Sequence, residues 1–163
     1  MFYLDLFSTL AKHRVAYVLI GGLAVSLHGV ERATMDIDIS VVMSPDNLAA
    51  LIAASHELDL TPVLPVAMES LADPALLKQW HEQRHMEVFA LRAPGLAGVT
   101  IDVLLFPPLG AATMIERAVR LDIAGVPVQV ASIDDLIALK QAVGRPIDLA
   151  DIEHLRRVKA QQS

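Results

Sequence analysis

Apolar and polar positions alternate along this chain with two periods, and the period changes several times. Tyr3, Leu6, Phe7, Leu10 and Ala11 recur at helical spacing, which predicts an amphipathic helix over residues 2–13. Residues 15–20 form a short β-rich run that reads as a buried strand. Gly21-Gly22 breaks it, and residues 23–28 read as a short helix opening from the glycines. Residues 36–41 (Asp-Ile-Asp-Ile-Ser-Val) alternate strictly, the signature of a strand with one buried face. Ser44 and Pro45 then mark a helix start as N-cap and first helical residue, with Leu48, Leu51 and Ile52 as its apolar stripe.

Residues 60–65 are ambiguous because prolines cut them, and residues 74–82 read as helix. Residues 86–91 and 99–106 are both β-rich, and the turn-forming stretch between them predicts an antiparallel hairpin. A second hairpin is predicted over residues 120–130 around Ala124-Gly125, with Pro127 pointing to an edge strand. Ser132 and Asp135 form a capping-box-like pair ahead of Leu136, Leu139 and Val143, and Gly144 with Pro146 ends that helix. Asp148 is expected to cap a last helix that packs through Ile152, Leu155 and Val158. These elements give a mixed α/β (α+β) class: a mixed, mostly antiparallel sheet flanked by helices, with further helices at the C-terminal end. A single domain is expected over residues 1–163, with its core in about 15–106 and a helical part in about 132–159.

Composition narrows the classes. The chain has 163 residues, enough for one core without staples. It has no cysteine, which excludes disulfides, thiolate metal sites and a cysteine nucleophile. Although 54% of it is hydrophobic, its longest uncharged apolar run is interrupted by Gly21, Gly22, Ser26 and His28 and is too short to span a bilayer. The first residues lack a cationic stretch before an apolar run, so a cytoplasmic protein without a secretory signal is expected. A net charge of −6 argues against strong bulk nucleic-acid binding, and 4% aromatic residues are too few for a base-stacking platform. The basic cluster Arg156, Arg157 and Lys159 suits the last turns of a helix.

Against that background, three aspartates stand out. On a strand, Asp36 and Asp38 project from one face and place two carboxylates in a small volume. Like charges held so close repel unless a cation or a proton lies between them. Asp102 is the one charged residue in an otherwise apolar strand and could join them from a neighbouring strand. Hard oxygen donors with no thiolate or imidazole nearby suit Mg²⁺ or Mn²⁺. An Asp-x-Asp pair taken alone also fits a solvated sheet face. Gly21-Gly22, at a strand-to-helix junction, lets backbone amides approach a phosphate, although a tight turn would need the same glycines. Separately, His81-Glu82-Gln83-Arg84-His85 matches the H-E-x-x-H zinc pattern, which works only on a continuous helix.

The set Gly21-Gly22, Arg32-x-Thr34-x-Asp36-x-Asp38 and a strand bearing Asp102 resembles the nucleotidyltransferase superfamily, whose fold is that of the catalytic domain of DNA polymerase β. The later run Leu139-Lys140, Gly144-Arg145-Pro146, Asp148 and Asp151-Ile152 looks most like the AbiEii-type branch, nucleotidyltransferase-like toxins of toxin–antitoxin systems. The resemblance implies transfer of a nucleoside monophosphate from ATP or GTP to a hydroxyl on an RNA, a protein or a small molecule. It implies that Asp36 and Asp38 hold divalent cations and that Asp102 ligates the catalytic one and helps activate the attacking hydroxyl. Gly21, Gly22, Arg32, Thr34 and Lys140 would contact the nucleotide, and an antitoxin would be a protein partner. Many members carry Gly-Ser where this chain has Gly21-Gly22, and often Arg-x-Lys-Asp where it has Arg145-Pro146-Ile147-Asp148.

Two other readings stand beside this one. A chain of the same fold could bind nucleotide or a partner without turnover. A zinc hydrolase would use His81, Glu82 and His85.

Overall fold

In a computed structural model, which describes residues 2–95 and 99–162, the chain alternates helices and strands around one mixed sheet. The helices are α1 (Phe2–Lys12), α2 (Gly21–Leu27), α3 (Pro45–Glu57), α4 (Pro74–Arg84), α5 (Ala111–Arg117), α6 (Ile133–Val143) and α7 (Pro146–Gln162), with a 3-10 turn at Met68–Ala72. The strands are β1 (Tyr17–Ile20), β2 (Ile37–Val41), β3 (Thr61–Pro62), β4 (Val88–Arg92), β5 (Thr100–Leu104), β6 (Val119–Ile123) and β7 (Val126–Val130). They lie side by side in the order β3-β4-β5-β2-β1-β7-β6. The pairs β1–β2, β3–β4, β4–β5 and β6–β7 are antiparallel, whereas β1–β7 and β2–β5 are parallel.

Every residue of β1 is buried, so helices must cover both faces of the sheet centre. The α1 helix packs on β7 and α3, α2 on β2 and α6, and α5 on β1 and β2. Leu6, Leu19, Ile37, Ile39, Leu91, Ile101, Met114 and Leu136 are fully buried between these layers. Burying one such side chain stabilises the fold by about 1.5–3 kcal/mol. No helix among the described residues is long and apolar enough to cross a membrane.

Local chemistry explains most boundaries. Ser44 accepts the Asn47 N–H at 3.3 Å, and Asp73 accepts that of Leu76 at 3.1 Å, each just before a proline at the first helical position. Gly144 ends α6 in the left-handed region, where glycine carries no Cβ penalty. The expected hairpin of residues 86–91 and 99–106 is β4–β5, although residues 96–98 of its connection lie outside the described ones.

Several expectations need correction. Pro127 does not mark an edge: β7 lies between β1 and β6. The β1–β7 ladder pairs only Leu19 with Val130, so Pro127 sits beyond it and its missing N–H costs nothing there. Ser132 does cap α6, through the Asp135 N–H at 3.1 Å. The Asp135 carboxylate, however, does not reach back to the cap; it binds Arg117 in a fork, with bonds of 2.6–3.2 Å. Asp148 is not the residue before α7 but lies within its first turn, where it accepts the Arg145 N–H at 3.1 Å. Periodicity gives no sign of the short helix α5, because only Ala111 and Met114 of its residues are buried.

Candidate active site

The parallel ladder between β2 and β5 sets Asp38 directly beside Asp102, and the β1–β2 ladder sets Ile20 beside Asp38. Extended two residues toward the start of both strands, the first register brings Asp36 beside Thr100. The Thr100 hydroxyl accordingly donates to Asp36 Oδ1 at 3.0 Å. The sequence alternation puts Asp36 inside the strand. It lies instead one residue ahead of β2 and is exposed, so Thr100 rather than the pleat orients it. Thr100 is not among the sequence-derived candidates. Its position two residues before Asp102, on the same strand face, is the signal that could have found it.

Burial raises Asp38 to about 6, with further upward pushes from the charges of Asp102 and Asp36. Burial also raises Asp102, helped by the charge of Asp36. The contact between the two side chains lifts Asp38 and lowers Asp102. Lys140 is close enough to pull Asp38 downward. A cluster of hard oxygens whose burial and like charges disfavour ionisation has the chemistry to accept Mg²⁺ or Mn²⁺. As they stand, no three acidic or imidazole groups among the described residues enclose a cation.

The two glycines make room for charged side chains. Gly21 has φ +73°, and a Cβ there would collide with Asp38 Oδ2. A Cβ on Gly22 would collide with Arg32 Nη1 and lie 3.2 Å from Thr34 Oγ1. The Arg32 guanidinium thus fills the space that a side chain at position 22 would take. Ser26 at the next turn of α2 holds the Arg32 carbonyl at 3.0 Å, and the Thr34 hydroxyl donates to the Asp36 carbonyl at 3.3 Å.

Behind this surface lies a buried ionic network that joins α6, α7 and the loop before β2. Lys140 is only 7% exposed. Its Nζ lies 2.9 Å from Asp151 Oδ2 and 3.5 Å from Asp148 Oδ1. Asp151 Oδ1 lies 3.1 Å from Arg32 Nε, and Asp148 Oδ2 lies 2.7 Å from Arg145 Nε. The contacts of Arg32 Nε and Asp151 Oδ2 are charge contacts without hydrogen-bond alignment. Arg145 holds Asp148 below the usual carboxylate range. Asp151, part of the C-terminal run that resembles the AbiEii-type branch but given no role from the sequence, is therefore the carboxylate shared by Arg32 and Lys140.

A cavity of about 320 Å³ opens on Gly21, Asp38 and Lys140, walled by Val88, Leu104, Leu136 and Leu139. A depression of about 420 Å³ lies elsewhere, beside Asp5 and Glu57, so size does not single out the site; the paired aspartates do. The zinc pattern does not form. The α4 helix ends at Arg84, and His85 takes a left-handed conformation with φ 54°, which removes it from the helix face. His81 stacks on Phe106 at 4.2 Å between ring centroids and pairs its Nδ1 with the Met86 carbonyl.

The arrangement has relatives. A sequence model of the family described as nucleotidyl transferase AbiEii toxin, Type IV TA system, matches residues 5–157. No curated protein matches significantly by sequence. Among solved structures, the antibiotic-resistance factor ANT(2'')-Ia in solution is similar at 16% identity and TM-score 0.57, over 98% of this chain and 81% of that one. A crystal structure of ANT(2'')-Ia with adenylyl-2''-tobramycin gives the same identity and score over 98% and 86%. An antigenic nucleotidyltransferase-like protein from Paracoccidioides brasiliensis is similar at 19% identity and TM-score 0.56, over 93% and 74%.

Proposed function

Because the chain belongs to the AbiEii nucleotidyltransferase family, we propose that it transfers a nucleoside monophosphate from ATP or GTP to a hydroxyl acceptor at Asp38 and Asp102. The observation that carries this reading is the side-by-side pairing of Asp38 and Asp102 against the Gly21 turn. Asp36, Asp38 and Asp102 would hold Mg²⁺ or Mn²⁺, which when bound supplies the positive charge that a triphosphate needs among carboxylates.

The remaining steps fall to the chain's own residues. Gly21 and Gly22 make room at the start of α2 for the Asp38 carboxylate and the Arg32 guanidinium, and that guanidinium would meet phosphate oxygens there. Lys140, fixed by Asp148 and Asp151, adds a second cation beside Asp38. The apolar wall of Val88, Leu104, Leu136 and Leu139 gives the nucleoside a dry surface. The acceptor oxygen attacks the α-phosphorus as the bond from that phosphorus to the bridging oxygen breaks. Pyrophosphate leaves, and the hydroxyl proton passes to Asp102, the carboxylate set beside Asp38 on the neighbouring strand.

The acceptor is an RNA end, a protein hydroxyl or a small molecule. The ANT(2'')-Ia complex with adenylyl-2''-tobramycin gives a precedent for the last of these on this fold. The family's toxin–antitoxin description supports an antitoxin as protein partner. The test is incubation of the protein with Mg²⁺ or Mn²⁺, cell extract and triphosphates labelled on either the α- or the γ-phosphate. The proposal expects label on an acceptor from the α-position only. Label carried over from the γ-position would mean phosphoryl transfer and would overturn it.

A further inference from the structure

The sheet has two edges, and they differ. β3 is a two-residue strand containing Pro62, a blunt edge that offers little to pair with. β6 has five residues and no proline, and its one strand partner among the described residues is β7. Val119, Arg120 and Asp122 are exposed along it.

The direction of the unpaired backbone groups follows from the hairpin turn. Ala124 and Gly125 have φ of 52° and 86°, the two positive values of a type I′ turn. The flanking residues Ile123 and Val126 then form a hydrogen-bonded pair, and bonding alternates back along the ladder. Leu121–Val128 and Val119–Val130 are bonded pairs, whereas Arg120–Gln129 and Asp122–Pro127 are not. Two details agree: Pro127, with no N–H, stands at an unbonded position, and the Gln129 N–H turns away to the Tyr17 hydroxyl at 3.2 Å. The N–H and C=O groups of Arg120 and Asp122 therefore face outward from the sheet.

We propose that β6 joins two copies of this chain into a symmetric dimer, the two strands running antiparallel about Leu121 to make one continuous sheet. Symmetry fixes the register. Arg120 of each copy lies opposite Asp122 of the other, in the hydrogen-bonded position that their outward backbone groups require. Opposite charges so placed attract on one face of the ribbon. On the other face Val119 meets Ile123 of the second copy, and Leu121 meets its own equivalent. The sequence Val-Arg-Leu-Asp-Ile is thus complementary to itself in charge and in apolar content. Asp122 Oδ1 already accepts the Gly125 N–H at 2.7 Å, which leaves its second oxygen for the arginine. Val119 and Leu121 also border a groove of about 410 Å³ with Leu27 and Ile133, which widens the contact beyond the strand itself. β1 and β7 separate β6 from β2, and the inference stands apart from the catalytic reading.

The test is sedimentation equilibrium of the full chain. Wild type should show twice the monomer mass. Arg120→Asp places acids opposite acids, and Asp122→Arg places bases opposite bases, so each alone should fall to half that mass. Mixed in equal amounts they are complementary again and should restore the dimer. Asp122→Arg also removes the bond to the Gly125 N–H, so a thermal melt checks its folding; if it unfolds, Arg120→Asp alone decides. A monomeric wild type would overturn the proposal, as would a dimer that survives Arg120→Asp or two folded variants that fail to combine. A wild type that is monomeric until a different protein is added would assign the edge to that protein instead.

Discussion

Asp38 and Asp102 occupy paired positions of the parallel β2–β5 ladder, where burial raises both carboxyls above their ordinary range. Two strands far apart in sequence thereby create one titrating unit. Its properties follow from burial and like charge, and they can be measured without a substrate.

The first prediction concerns pH. Asp38 rises from 3.8 to about 6 in the folded chain. A carboxyl raised on folding keeps its proton longer in the native state than in the unfolded one. Its contribution to stability is complete below pH 4 and is lost as pH rises to about 6. The cation-free protein should lose on the order of 1–3 kcal/mol from this group across that window. Asp38→Asn should flatten the decline in melts recorded between pH 4 and 7, and added Mg²⁺ should offset it in wild type alone. An equal decline in Asp38→Asn would assign the effect to other groups.

The second concerns the glycines. Gly21→Ala forces a Cβ into the left-handed region and against the Asp38 carboxylate, so it should cost about 1–3 kcal/mol in denaturant melts. Gly22→Ala collides with the movable end of Arg32 and should cost less stability. By displacing Arg32, it should weaken nucleotide binding more than folding. Equal stability losses in the two variants would contradict this ordering.

How much of this was legible in the sequence depended on how local its cause was. The alternation around Asp38 and the β-rich run around Asp102 identified both strands, and Ser44-Pro45 and Ser132 marked helix starts, because caps and pleats are decided within a few residues. The charged partners were not legible. Nothing local joins Arg32 to Asp151, or Arg117 to Asp135; these pairs form because α7 and α5 pack where they do. Pro127 misled for the same reason, since whether a strand lies at an edge is a property of the whole sheet. The His81–His85 match shows the reverse case, a local pattern cancelled by a helix that stops one residue too soon.

The third prediction addresses the buried network. Asp151→Ala removes the carboxylate shared by Arg32 and Lys140 and leaves their charges underpaired inside the protein. The expected loss is about 3–5 kcal/mol in denaturant melts. Arg157→Ala, which breaks an exposed pair with Glu153, provides the contrast and should cost under about 1 kcal/mol. Comparable losses in the two variants would mean that the network adds nothing beyond an exposed pair.

The fourth concerns zinc. Because His85 leaves the helix face, His85→Ala should change neither stability nor metal content. Elemental analysis that finds stoichiometric zinc in wild type and none in the variant would reverse this conclusion.

The most direct test of the proposed chemistry is nucleotide binding and transfer measured side by side in wild type and Asp102→Asn. Calorimetric titration with ATP or GTP and Mg²⁺ gives the binding, and α-labelled triphosphate gives the transfer. If Asp102 accepts the proton of the acceptor hydroxyl, Asp102→Asn should still bind nucleotide and should lose transfer by at least about 100-fold. Transfer that persists at the wild-type rate in Asp102→Asn would contradict the placement of the reaction at Asp38 and Asp102.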